Sequence, residues 1–567
     1  MLLLPGKLVM PVPSRALRIE SVMRHFQITC WLSLLFVLLT PAGHAFQITS
    51  VREADASCAK CHAEIYRKYL TTPMANASGA AASNLHTGTF LHQPSSVEYK
   101  ISAAGDQAVL AHSPSDGPGA SGEVPLNYFL GSGHLATTYL YSIDKYLFES
   151  PVAWFASPKS FDMKPGLAEM REMPPALPMQ SSCLRCHMSS VQSSDTGTLN
   201  RYQGAPFLHA GITCEACHGD SAQHIATQGK AAIVNPKRLP AEQRDSICIS
   251  CHLEGDVTVE RAGHTALDYR PGEPISKYLA YYIKAGANLT TRGVSEVEQL
   301  SQSMCKRMSG DKMSCSSCHD PHYTPGTEER ITFFRGKCLA CHSEPNFASQ
   351  HHPENPDCTS CHMPRLGAAN ILHVAWTDHR ILRLPESSKS IQETNLKAEL
   401  VPIFSPEATE RDRAMAYYQA LLEGDRSMEG RAWELLKQQR DSIANDKAAL
   451  DALGNLSAER GDLAMAEQSF RRVLELDPAD LTALSNLGTL LAKEGKLNDA
   501  TALLRKAFDR NNDVSGLAMN LARVECMAGD GIGARSTLNT ALLYFPNSAD
   551  MRRLLMQVSD CKSAGER

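Results

Sequence analysis

Apolar positions fall into three regimes along the 567 residues. From Ile28 to Leu39 they run almost unbroken. Between Val97 and Phe155 they alternate with polar ones, as in Val97-Glu98-Tyr99-Lys100-Ile101, Gln107-Ala108-Val109-Leu110 and the stretch from Tyr139 to Phe155. Gly, Ser, Asp and Pro separate these segments, so the pattern predicts a small β-rich insertion. From about residue 411 the period becomes helical, and stacking the chain on itself gives a 34-residue repeat in frames 447–480, 481–514 and 515–548. Small residues recur at the eighth and twentieth positions of each frame (Gly454, Gly488, Ala522; Ala466, Ala500, Ala534). They let paired helices approach closely, and Gly461, Gly495 and Gly529 close the turns. This is the tetratricopeptide pattern, spanning 411–560 with a degenerate first copy at 413–446, after a linker at 386–410. Cys526 on a helix face is expected to be a small buried apolar residue, and Cys561 a free thiol in the tail.

The region in between is organised by a motif rather than by periodicity. CxxCH occurs seven times, numbered here in chain order. The first is Cys58, Cys61 and His62; the second Cys183, Cys186 and His187; the third Cys214, Cys217 and His218; the fourth Cys248, Cys251 and His252. The fifth is Cys315, Cys318 and His319; the sixth Cys338, Cys341 and His342; the seventh Cys358, Cys361 and His362. Two thiols that add to haem vinyl groups, followed by an imidazole delivered to the iron, define c-type haem attachment. A zinc site would use paired CxxC units but gives no reason for His after every second Cys. A thioredoxin-like centre needs one CxxC in a βαβ setting, and disulfides do not hold this spacing. The motifs therefore imply seven covalently bound haems in a domain at 46–385, with the seven Cys pairs as thioether donors and the seven His as proximal ligands. About 48 residues per haem is too few to bury a core, so the porphyrins are expected to supply much of it, in a loop-rich chain of short helices.

Haem attachment outside the cytoplasmic membrane demands export. Met23-Arg24-His25, the apolar Ile28–Leu39 and Pro41-Ala42-Gly43-His44-Ala45 read as a signal peptide at 23–45 cleaved after Ala45, with 1–22 an extension upstream of the true start. The apolar run is short for a span of about 20 residues, so the mature chain is expected in the periplasm or peripheral to a membrane. The net charge of −5 is mild and dispersed, which gives no sign of nucleic acid.

Twelve histidines beyond the signal lie outside the motifs, more than enough to cap seven irons. His224 and His322 follow a motif closely, and His373 and His379 follow the last one, positions suited to a second axial ligand. Ser303-Met304-Cys305-Lys306-Arg307-Met308 offers soft sulfur ligands, but buried filler methionines and an inert buried thiol are the favoured reading.

The runs NYFLGSGHLATTYLY, GITCEACHGDSAQH, IVNPKRL, CISCHLEGD, YRPGEPISKYL, QSMCKRMSGDKMSCSSCHDPH, DCTSCHMPR and HVAWTDHRI resemble a family of periplasmic multihaem cytochromes fused to tetratricopeptide repeats. That family is related to the tetrahaem cytochrome of ammonia oxidisers, and more distantly to hydroxylamine oxidoreductase and pentahaem nitrite reductase. The resemblance covers about residues 55–385. It implies distal ligands among His92, His224, His322, one of His351 or His352 (His352 being preferred), and His373 or His379. Two departures limit it: pentahaem nitrite reductases end their catalytic motif in Lys and every motif here ends in His, and no Tyr can be assigned to the crosslink of hydroxylamine oxidoreductase.

The expected fold is mainly α: a loop-rich multihaem domain with a small β insertion, followed by a helical repeat solenoid. The expected function is electron transfer through close-packed haems, with redox partner proteins docked by the repeats. The alternative is an oxidoreductase with one open-coordination haem acting on a small nitrogen or sulfur species.

Overall fold

A computed structural model describes residues 48–115, 121–173, 176–286, 293–368, 371, 373–383, 399–404, 408–558 and 561. The signal peptide, the upstream extension and most of the 386–410 linker lie outside the described residues. No helix among those described is long and apolar enough to cross a membrane.

The β insertion is larger than the alternation predicts. Gly88–His92, Val97–Ala104, Gln107–Pro114, Gly122–Leu130, Ala136–Ile143, Tyr146–Phe155 and Ser160–Met163 form an antiparallel meander, and Ser78–Ala80 and Leu177–Pro178 complete a nine-stranded sheet. The N-terminal half is therefore β-rich, so "mainly α" describes the repeats well and the chain as a whole only loosely. Val97, Tyr99 and Ile101 are buried while Glu98 and Lys100 between them are exposed, as a strand with one covered face requires. Asp144 and Lys145 turn the hairpin at φ +49° and +72°, the double left-handed geometry of a two-residue hairpin loop.

The repeats pair helices Glu410–Leu422 with Glu429–Gln438, Lys447–Glu459 with Leu463–Leu476, Leu481–Lys493 with Leu497–Phe508, and Ser515–Met527 with Gly531–Leu542. The helix Ala549–Gln557 ends the stack. The eighth-position glycines explain the pairing: a Cβ on Gly454 would lie 2.6 Å from Phe470 Cε1, and one on Gly488 2.7 Å from Leu504 Cγ. Ala466, Ala500 and Ala534 at the twentieth position are fully buried for the same reason. Aspartates cap the helices: Asp446, Asp462, Asp480 and Asp530 each accept a backbone N–H from the first turn.

The stack packs on the sheet rather than standing free. The Tyr146 hydroxyl donates to the Arg510 carbonyl at 2.6 Å, and Tyr544 donates to Asp144 Oδ2 at 2.9 Å. Asn511 Nδ2 donates to the Gly197 carbonyl at 2.8 Å, and Lys284 meets Asp425 at 2.7 Å. Leu400–Pro402, inside the expected linker, is a strand paired with Leu279–Lys284, which itself pairs with Val257–Glu260.

Two cysteine expectations are corrected. Cys526 and Cys561 form a disulfide across 35 residues of sequence, so Cys561 is not a free thiol and Cys526 is not merely apolar filler. Met304 and Met308 are 57% and 79% exposed, so neither is buried filler, and Cys305 is only half-buried.

Gly454→Ala should destabilise the repeats by about 1–3 kcal/mol, the usual cost of overpacking, read as a lower midpoint in denaturant unfolding followed by far-UV circular dichroism. Cys561→Ser should lower stability by about 2–4 kcal/mol, the usual value for a disulfide of this loop length, and abolish the difference between reduced and oxidised protein in the same assay.

Candidate functional site

Most motifs occupy about one helical turn, which brings residues i and i+3 to one face. Cys58 and Cys61 lie in the Ala56–Tyr69 helix, which breaks at His62 (φ −113°, ψ 38°). Cys183 lies in the turn Ser181–Leu184 with Cys186 just beyond it, and Cys214 caps the turn Glu215–His218 that carries Cys217. Cys248, Cys251 and His252 end the Ala241–His252 helix, and Cys315–Cys318 is a single turn. Cys338 lies at the end of the Arg330–Leu339 helix, and Cys341 and His342 follow it, each donating its backbone N–H to the Cys338 carbonyl at 3.1 and 2.9 Å. Cys358 and Cys361 share the short helix Cys358–His362, capped by Asp357. None of the 14 motif thiols is in a disulfide; Cys61, Cys183 and Cys341 are exposed, and the other 11, Cys361 among them, are half-buried.

Four motif histidines face a histidine from elsewhere in the chain. His62 and His224 have ring centroids 6.4 Å apart with planes 13° from parallel, and His218 and His322 lie at 6.0 Å and 13°. His319 and His379 lie at 6.3 Å and 27°, and His362 and His351 at 5.9 Å and 24°. An imidazole–metal bond of about 2 Å on each side, plus about 1.2 Å from nitrogen to ring centre, spans roughly 6.4 Å. The pairs have the spacing of an imidazole–metal–imidazole axis.

Hydrogen bonding orients these rings. Nδ1 of His218, His224 and His379 each lies 2.8 Å from a backbone carbonyl (Val234, Ala231 and Thr377), and Nδ1 of His362 lies 2.5 Å from the Leu382 carbonyl. A carbonyl only accepts, so Nδ1 carries the proton and Nε2 keeps its lone pair, as in metal-bound histidines generally. Burial, with His379 and His252 nearby, brings His319 down to about 4, leaving it neutral at physiological pH. Neutral imidazole is the form that binds metal.

The thiols of different motifs adjoin. Cys58 and Cys214 lie with Asp55 in a group whose ligand atoms are all within 4.8 Å of one another. Cys186 meets Cys251, and Cys248 meets Cys315. Cys338 neighbours Cys358, and burial pushes its thiol up to about 11.

The packing around the motifs fits a large apolar group. Between Tyr282 and Val374 no apolar side chain among the described residues is fully buried. Beside the motifs Ile65, Ile225 and Ile331 are 46%, 42% and 41% exposed, as side chains that a porphyrin would cover are expected to be.

Not every predicted ligand falls beside a motif. His224, His322 and His379 do, as above. His92 is buried in the sheet region with Nδ1 2.7 Å from Ser95 Oγ and Nε2 2.9 Å from the Ala168 carbonyl, so Nε2 is a donor and not a free ligand. His373 Nε2 meets Asp162 at 2.6 Å. His352 turns to Glu354 at 3.5 Å, and it is the adjacent His351 that faces His362. Nothing in the His-His dipeptide distinguishes the two; the left-handed backbone at His352 (φ +49°) does. His187, His252 and His342 have no second imidazole in ring contact among the described residues, and His342 lies 5.2 Å from Phe347.

Residues 157–219 match the family model of cytochrome c554 and c-prime, and residues 448–480 and 491–558 match tetratricopeptide repeat models. The chain is similar to the multiheme cytochrome MtrA of Shewanella baltica (strain OS185), 26% identical over 174 residues, covering 29% of this chain and 52% of the relative. It is also similar to the cellulose synthase operon protein C of Xanthomonas axonopodis pv. citri (strain 306), 32% identical over 138 residues, covering 22% of this chain and 9% of the relative. The chain thus spans about half the length of the first relative and a small part of the second. Among solved structures, a MamA structure is 21% identical over 27% of this chain and 86% of its own, with a TM-score of 0.24. Pseudomonas aeruginosa pilF is 20% identical over 26% of this chain and 69% of its own, also at 0.24. A multihaem cytochrome-like segment therefore precedes a helical tetratricopeptide region, a repeat class that commonly mediates protein–protein contact.

Proposed function

We propose that this protein is a periplasmic c-type cytochrome that carries seven haems at its seven motifs and relays single electrons. The observation that carries the reading is the set of four imidazole pairs, each joining a motif histidine to a non-motif histidine at 5.9–6.4 Å. In it the seven Cys pairs hold the haems, and His62 with His224, His218 with His322, His319 with His379 and His362 with His351 are axial pairs. When bound, each haem supplies a one-electron iron centre whose potential follows its axial ligands, charge and burial. The protein's own contribution is to fix Nε2 through the Nδ1 carbonyl bonds and to hold the motifs edge to edge, so that neighbouring centres exchange electrons without diffusion.

Docking of a redox partner through the repeats belongs to the same reading. Its support is the repeat class and the exposed Ile532, Leu543 and Met556 at the end of the stack away from the first repeat. Export through residues 23–45 follows from the chemistry of haem attachment.

A second reading, an oxidoreductase acting on a small nitrogen or sulfur species, is favoured by one observation. His187, His252 and His342 lack the imidazole partner that the other four motif histidines have among the described residues.

Intact mass of the purified protein should exceed that of the processed polypeptide by seven haems, and a smaller increment overturns the count. Electron paramagnetic resonance of the oxidised protein should show low-spin iron at the four paired sites; high-spin iron that shifts with nitrite or hydroxylamine would favour the second reading. His351→Ala should convert one low-spin centre to high spin, whereas His352→Ala should leave the spectrum unchanged.

A further inference from the structure

Two of the places where motifs meet carry charges of opposite sign, one buried and one half-buried. Where Cys58 of motif 1 meets Cys214 of motif 3, the charge is Asp55, 3% exposed, whose Oδ2 accepts the Cys214 N–H at 2.9 Å. Glu215 adds a second carboxylate nearby, and the facing imidazole is His209, held at Nδ1 by Thr49 Oγ1 at 2.6 Å. No ion pair among the described residues includes Asp55.

Where Cys186 of motif 2 meets Cys251 of motif 4, the charge is Arg185. Its Nη1 donates to the Ser250 carbonyl inside motif 4, its Nε is buried without a hydrogen-bond partner, and the Tyr281 hydroxyl lies beside it. Glu254, the acidic group nearby, is exposed to solvent. No ion pair among the described residues includes Arg185. The meeting of motifs 4 and 5 differs: there Asp245 is matched by Arg244 at 3.0 Å and Lys306 at 3.7 Å.

Reducing a haem iron adds one negative charge, so a nearby cation withdrawn from bulk water favours the reduced form and a nearby buried anion the oxidised form. In a low-dielectric setting neither effect is screened away. We propose that Asp55 and Arg185 set an internal potential gradient, low at motifs 1 and 3 and high at motifs 2 and 4, that directs electrons toward the second pair. Cys217 of motif 3 lies near Cys251 of motif 4, which supplies the passage between the pairs. With haems bound, the step would move one electron and no proton: an iron at motif 1 or 3 would be oxidised and one at motif 2 or 4 reduced, with no bond formed or broken. Asp55 and Arg185 are positioning residues for charge, not ligands.

This inference rests on the relay reading. The test is spectroelectrochemical titration of the purified holoprotein, with haem content measured for every variant. Arg185→Gln should shift two of the seven midpoint potentials in the negative direction, and Arg185→Lys should return them toward the starting values. Asp55→Asn should shift two different midpoints in the positive direction. Unchanged midpoints in both variants, at full haem content, overturn the gradient, as does movement of the same haems by both. If Arg185→Gln loses haem, Arg185→Lys and Asp55→Asn still decide between these outcomes. Failure of the relay reading looks different: the unaltered protein would fail to titrate reversibly.

Discussion

The imidazole pairs are the constraint on which the rest of the haem region depends. Three of them join sequence positions far apart: His62 with His224, His218 with His322, and His319 with His379. The partner comes each time from the segment after a later odd-numbered motif: motif 3 serves motif 1, motif 5 serves motif 3, and the chain after motif 7 serves motif 5. The region from 283 to 373 has no fully buried apolar side chain of its own among the described residues. On the relay reading, long-range ties at the metal axes would hold such short turns in register, where a hydrophobic core would do so elsewhere.

Around this sits a conventional scaffold. The nine-stranded sheet and the repeats share one continuous apolar cluster, in which Tyr146 and Phe148 from the sheet pack against Tyr544 from the repeats. Each such side chain contributes roughly 1.5–3 kcal/mol when fully buried. The strand Leu400–Pro402 and the Arg261–Asp412 ion pair at 3.4 Å fasten the start of the stack to the short sheet beside motif 4. The division of labour is clear: apolar burial fixes the scaffold, and polar and ligand geometry fixes the site.

What the sequence made legible follows from how local each signal is. CxxCH is a contiguous signature, and the tetratricopeptide repeat repeats its own small residues, so Gly454 and Gly488 could be read before their contacts with Phe470 and Leu504 were known. The alternation at 97–155 marked strands, but a sheet that begins at Ser78 and closes with the two-residue Leu177–Pro178 has edges too short to alternate. Distal ligands are long-range by nature. His224, His322 and His379, which face motif imidazoles, follow a motif or end the region, whereas His92 and His373 are taken by Ala168 and Asp162, contacts no spacing reveals. The Cys526–Cys561 bond was missed because helical periodicity assigned the first residue to a core face and gave the second no partner.

The order of the imidazole partners also bears on how such a chain is made. A polypeptide that emerges from a membrane N-terminus first presents His62 long before His224, and His218 long before His322. On the relay reading, each early site would wait, incompletely ligated, until the segment that serves it had crossed, and His319 would wait for His379 beyond the last motif. Maturation would then be a queue released from its far end, and a chain truncated before residue 379 would leave a site in its middle unfinished, not merely shorten its tail.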